Sequence, residues 1–109
     1  MPFAFCIYGH LAGLNPEELS ACTKTLTQYE LSSTGNVLDF VHEGLFIDFE
    51  SDLEALLPLL GGHVRGVIDL INHQDWEMFR FTLTNGTIHR TKVALDNALD
   101  SSYASERRS

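Results

Sequence analysis

The sequence predicts an α+β sandwich, an antiparallel sheet with two helices packed on one of its faces. Three observations carry that expectation. Apolar residues alternate in strand fashion around residues 3–11, 64–72 and 76–93. They recur three and four positions apart in residues 15–30 and 51–60, the helical spacing. The turn signals between these segments are short, and Asn85-Gly86 is the strongest two-residue hairpin marker in the chain.

At 109 residues with 44% hydrophobic and 20% charged side chains, the composition is that of an ordinary globular chain. Such a length supports one hydrophobic core without metals or cross-links. One domain is expected over residues 1–100, with residues 101–109 (SSYASERRS) a frayed polar tail. No fixed-period repeat and no linker interrupts it.

Taken in order, Pro2 to Leu11 reads as a strand with Phe3, Phe5 and Ile7 on one face and Ala4, Cys6, Tyr8 and His10 on the other. Asn15-Pro16-Glu17-Glu18 opens a helix: Asn15 can cap, Pro16 fits the first turn, and the two acids suit the positive end of the dipole. Leu19, Cys22, Leu26 and Tyr29 form its inward stripe. The helix is expected to fade near Thr25 and Thr27, with residues 32–36 a turn cluster. Two short strands follow at Val37–Val41 and Leu45–Phe49, joined by His42-Glu43-Gly44. Ser51-Asp52-Leu53-Glu54 matches a capping box for a second helix with Leu53, Leu56, Leu57 and Leu60 inward. Pro58 should shorten or kink it, and Gly61-Gly62 should end it. The remaining strands are Val64–Asn72, Trp76–Thr84 and Thr87–Val93, with a helical turn over Ala94–Leu99.

The order strand, helix, strand, strand, helix, strand is similar to the split βαβ pattern of ferredoxin-like sandwiches, here with an added C-terminal β-hairpin. Such a sheet is covered by helices on one face and bare on the other. A bare face should read polar, yet several strands offer apolar residues on both sides. Something is therefore expected to cover the second face, and a second copy of the chain is the commonest solution for a small domain. The predicted interface residues are Tyr8, Ile68, Leu70, Trp76 and Met78.

The formal net charge is −8, with 15 acids against 7 bases. Residues 1–64 hold nine of the acids and a single base, Lys24. Nucleic acid and anionic membrane surfaces are excluded as partners, because phosphates call for clustered Lys and Arg. A basic protein partner fits the imbalance. So would a nucleic-acid mimic, if Asp39, Glu43, Asp48, Glu50, Asp52 and Glu54 formed one row. No apolar run approaches the roughly 18 residues of a membrane span, and Met1–Ala12 lacks the basic start of a signal peptide. A cytoplasmic location is expected, with Cys6 and Cys22 reduced. The Asn85-Gly86-Thr87 triplet then reads as a turn rather than a glycosylation site.

Five histidines occur, but none stands in a metal-binding pair, and the 16-residue spacing of the cysteines matches no zinc pattern, so no metal or cofactor is expected. Cys6, Tyr8 and His10, alternating on one strand face, are the most site-like group: a thiol, a phenol and an imidazole support proton transfer. Gly62-His63-Val64-Arg65-Gly66-Val67 resembles the G-x-V-Q-G-V segment of acylphosphatases over six residues. Arg65 stands in place of the glutamine, Asp69-Leu70 in place of the aromatic residue and the catalytic arginine, and the segment follows the second helix instead of preceding the first. Acyl-phosphate hydrolysis is not supported. The expectation is a small acidic protein-binding domain with an adaptor, inhibitor or regulatory role, acting as a homodimer. The alternative is a small dimeric enzyme or ligand-binding protein with its site at the seam around Tyr8, His10 and Cys6.

Overall fold

The computed structural model of the chain describes residues 5–93. Its elements are β1 (Phe5–Ala12), α1 (Pro16–Thr25), β2 (Glu30–Thr34), β3 (Val37–Gly44), α2 (Phe49–Leu56), β4 (Arg65–Asn72), β5 (Glu77–Thr84) and β6 (Thr87–Val93), with a single 3-10 turn at Leu57–Leu59 after α2. The expected Ala94–Leu99 turn, the polar tail and the first residues of the predicted opening strand lie outside the described residues.

Asn15 and Glu18 form a reciprocal capping box ahead of α1. The Asn15 side chain accepts from the Glu18 amide at 2.8 Å, and the Glu18 carboxylate accepts from the Asn15 amide at 2.9 Å. Pro16 fills the first turn, where its missing N–H costs nothing. α2 begins two residues before the expected Ser51, because Asp48 is its cap and accepts from the Ser51 amide at 3.2 Å. Ser51 thus serves as a capped residue, not as the cap. Pro58 ends α2 in the short 3-10 turn.

The six strands form one antiparallel sheet in the order β2-β3-β1-β4-β5-β6. Register partners share a face, so the pairing Leu38–Leu11–Gly66–Leu83 and the pairing Phe40–Gly9–Ile68–Phe81 define the side that meets the helices. Cys22 and Leu26 from the first helical segment and Phe49, Leu53 and Leu56 from α2 join them in one core. The β5–β6 turn has Asn85 at φ 52° and Gly86 at φ 75°, the paired positive φ values that make Asn-Gly suit a two-residue hairpin.

Three expectations are corrected. The strand pair following α1 is β2 with β3, turning at Gly35-Asn36, and not 37–41 with 45–49. β3 runs on to Gly44 opposite Phe5, so residues 45–48 leave the sheet and lead into α2. Ile68 and Leu70 lie on the helix side, paired with Phe81 and Phe79, and are buried in the core; they are not available to a partner on the other face. Trp76 precedes β5, in the turn after β4, with φ 55°.

Candidate functional site

The sheet face away from the helices is set by the same register. Across it, one row reads Glu30, Val41, Tyr8, Asp69, Arg80, Thr91, and the next Ser32, Asp39, His10, Val67, Thr82, His89. A third row reads Glu43, Cys6, Ile71, Met78, Val93. Tyr8 and Val67 are the exposed large hydrophobic residues of this face, at 39% and 40%.

The structure places Cys6, Tyr8 and His10 side by side on β1 but turns their polar groups to different partners. The Tyr8 hydroxyl donates to a Glu43 carboxylate oxygen at 2.7 Å. That hydrogen bond, with partial burial and the neighbouring Cys6 thiol, raises the phenol well above its ordinary pKa. His10 Nδ1 meets an Asp39 carboxylate oxygen at 2.7 Å. Both carboxylates belong to β3. The Tyr8 hydroxyl is thus held as a donor to a carboxylate. Cys6 is buried, at 3% exposure. Phenol and imidazole do not pair as acid and base with each other.

Asp69 and Arg80 form a third polar pair across β4 and β5, with Nε and Nη2 of the guanidinium donating at 2.7 and 3.2 Å. Such exposed pairs contribute little to stability, but they fix the charges of the face in known positions. Beside them a shallow depression of about 360 Å³ is bounded by His10, Ala12, Arg65, Val67, Thr82 and Thr84. Asp39 can hold the His10 ring in one orientation there, as a carboxylate does for a working imidazole. No group of three or more His, Cys, Asp or Glu among the described residues is arranged to hold a metal ion.

Of the other predicted interface residues, Met78 is on this face but buried, at 9%. Trp76 is half exposed at the sheet's end, its ring centroid 6.1 Å from that of His73. The six carboxylates considered as a row are divided by the sheet. Asp39 and Glu43 lie on this face, whereas Asp48 caps α2, Glu50 and Glu54 are exposed on it, and Asp52 accepts from the Tyr29 hydroxyl at 2.7 Å. They make no single phosphate-like line. The partners Asp39 and Glu43 carried no local signal as a site, since each stands about thirty residues from the group it binds and meets it only through the strand order. Comparison with family models, curated proteins and solved structures found no match. No helix among the described residues is long and apolar enough to cross a membrane.

Proposed function

We propose that this chain is a cytosolic, protein-binding domain of ferredoxin-like architecture that works as a homodimer in an adaptor, inhibitor or regulatory role, with the open sheet face as its seam. The order β2-β3-β1-β4, with α1 and α2 on one side, supports the ferredoxin-like reading, and β5 and β6 extend it as the added hairpin.

The observation that carries the dimer is the division of charge across that face. Glu30, Asp39 and Glu43 lie on β2 and β3 with no base beside them on those strands' open side, while Arg65 and Arg80 lie on β4 and β5 against one carboxylate, Asp69. A two-fold axis lying in the seam, parallel to the strands, sets β3 of one copy over β5 of the other and β1 over β4. The acidic half then meets the basic half twice, and the Tyr8 and Val67 surfaces meet at the centre. Six strands about 4.8 Å apart and about 25 Å long present roughly 700 Å² per copy. That gives about 1,400 Å² in total, within the range of stable interfaces. The helix sides would face outward, free for other proteins.

Sedimentation velocity tests this reading. The expected particle has twice the 12.2 kDa chain mass, and Tyr8→Asp or Val67→Asp yields monomers with an unchanged far-ultraviolet spectrum. A wild-type monomer at all concentrations refutes the seam, as does a dimer indifferent to both substitutions. A second reading, a ligand site at the same seam, is favoured by the His10–Asp39 pair beside Arg65. It calls for a His10→Gln variant that keeps the dimer but loses a ligand-induced rise in melting temperature.

A further inference from the structure

On the helix side of the sheet, at the end where β1 begins, an open cleft of about 340 Å³ lies between the start of α2 and strands β4 to β6. Its apolar wall is Phe5, Phe46, Phe49, Leu70, Phe79 and Phe81. Phe49 and Phe81 stand edge to face at 5.4 Å, and Phe5 and Phe46 at 5.0 Å. The cleft exists because residues 45–48 leave the sheet between β3 and α2. They carry Leu45 and Phe46 out to its rim, where their side chains are 80% and 70% exposed. Two adjacent large apolar residues at that exposure, beside an aromatic cleft, form an exposed apolar patch.

On the α2 side of the cleft the charge is one-sided, and the cations lie on the β6 side. Residues 45–62 include Asp48, Glu50, Asp52 and Glu54 and no base. Asp48 and Asp52 are occupied by the Ser51 amide and the Tyr29 hydroxyl. Glu50 and Glu54 are exposed, and Glu50 has only a long contact with Arg90, at 3.8 Å. Across the cleft, Lys92 is bound to Glu77 at 2.8 Å, and Arg90 lies over the Phe79 ring at 5.4 Å.

We propose that this cleft docks a basic amphipathic segment of another protein, its apolar side chains seated on Phe46, Phe5 and Phe79 and its Lys or Arg side chains on Glu50 and Glu54. The volume lies at the low end of the range for ligand sites, about 300–1,000 Å³, which suits one or two large side chains rather than a bulky cofactor. An apolar anchor in a desolvated pocket ringed by charge is the common form of a protein-docking hot spot. The site is on the opposite side of the sheet from the dimer seam and does not rest on it.

The probe is a short amphipathic peptide of leucine and lysine, titrated into the full chain by calorimetry and followed by amide chemical shifts. Its leucine–glutamate and serine–lysine counterparts serve as controls. The leucine–lysine peptide is expected to bind with shifts centred on residues 45–50, 79–81 and 90, and both controls to bind about tenfold or more weakly. Phe46→Ser and Glu50→Lys, both at exposed positions, should each lower its affinity about tenfold with little change in the unfolding midpoint. Equal binding by the serine–lysine peptide overturns the proposal, as do shifts confined to the open sheet face or affinity indifferent to both variants. Absence of binding overturns it too, whether a second copy or residues 94–109 already fill the cleft.

Discussion

The ring of Phe40 lies across Gly9, its register partner on β1, so closely that a Cβ at position 9 would overlap the ring. Phe40 is fully buried there and meets Tyr29 edge to face at 5.3 Å. The glycine lets the central strand accept a large aromatic side chain from its neighbour without displacing the helices above. Gly9→Ala should therefore cost about 1–3 kcal/mol by overpacking. Gly9→Ala with Phe40→Leu should lose measurably less than the sum of the two single changes, because the smaller side chain vacates the space the new methyl needs. Chemical denaturation of the four proteins gives the coupling; strict additivity would contradict the contact.

Leu56 and Leu45 separate burial from mere hydrophobicity. Leu56 is fully enclosed on α2, whereas Leu45 stands 80% exposed in the segment before that helix. Leu56→Ala is expected to lose about 2–5 kcal/mol, from lost burial and the cavity left behind. Leu45→Ala should stay within about 0.5 kcal/mol. Similar losses at both sites would mean that Leu45 also packs against the core.

Both cysteines are buried. Burial, with the Glu18 charge adding to it, pushes the Cys22 thiol up to about 11. Little thiolate is then present at neutral or mildly alkaline pH. A disulfide reagent should find Cys22 unreactive in the folded chain and both thiols reactive in denaturant, with modification limited by opening of the fold. Rapid reaction of Cys22 under native conditions would place α1 away from the sheet.

What the sequence revealed and what it concealed divide by the range of the interactions. The α+β class, the order of the elements, the Asn15 cap and the Asn85-Gly86 turn are written in neighbouring residues. β2 is not: Glu30–Thr34 has one apolar residue, Leu31, and is a strand because β3 supplies its hydrogen bonds. Leu45–Phe49 has the apolar pattern of a strand but no sheet neighbour, and the Asp48 cap takes its end into α2. Alternation showed that β4 has two apolar sides. Only the register with β1 and β5 shows that Ile68 and Leu70 face the helices while Val67 and Ile71 face away. The candidate site had the same limit, since the partners of Tyr8 and His10 come from a strand more than two dozen residues later.

Glu18 joins the start of α1 to the loop before β4. Its carboxylate accepts from the Asn15 amide, from the Gly61 amide at 2.8 Å and from His63 Nε2 at 2.9 Å. The Asn15 amide leads in holding this carboxyl below its ordinary value of 4.5, and Gly61 and His63 assist against the opposing effect of burial. A carboxyl depressed in the folded state contributes stability that is complete above the unfolded value. That contribution fades as pH falls, because the unfolded chain takes up the proton first, and it is lost once pH passes below the folded value. Glu18→Gln keeps the shape and removes the charge, so it should cost about 1–3 kcal/mol near neutral pH. The gap between the two proteins should narrow steadily as pH falls below 4.5. Other carboxylates titrate in both proteins and largely cancel in the difference. Urea unfolding of the pair across the acid range measures it directly. A gap that stays constant, or widens toward acid, would show that the ionised carboxylate is not what holds Asn15 and Gly61 together.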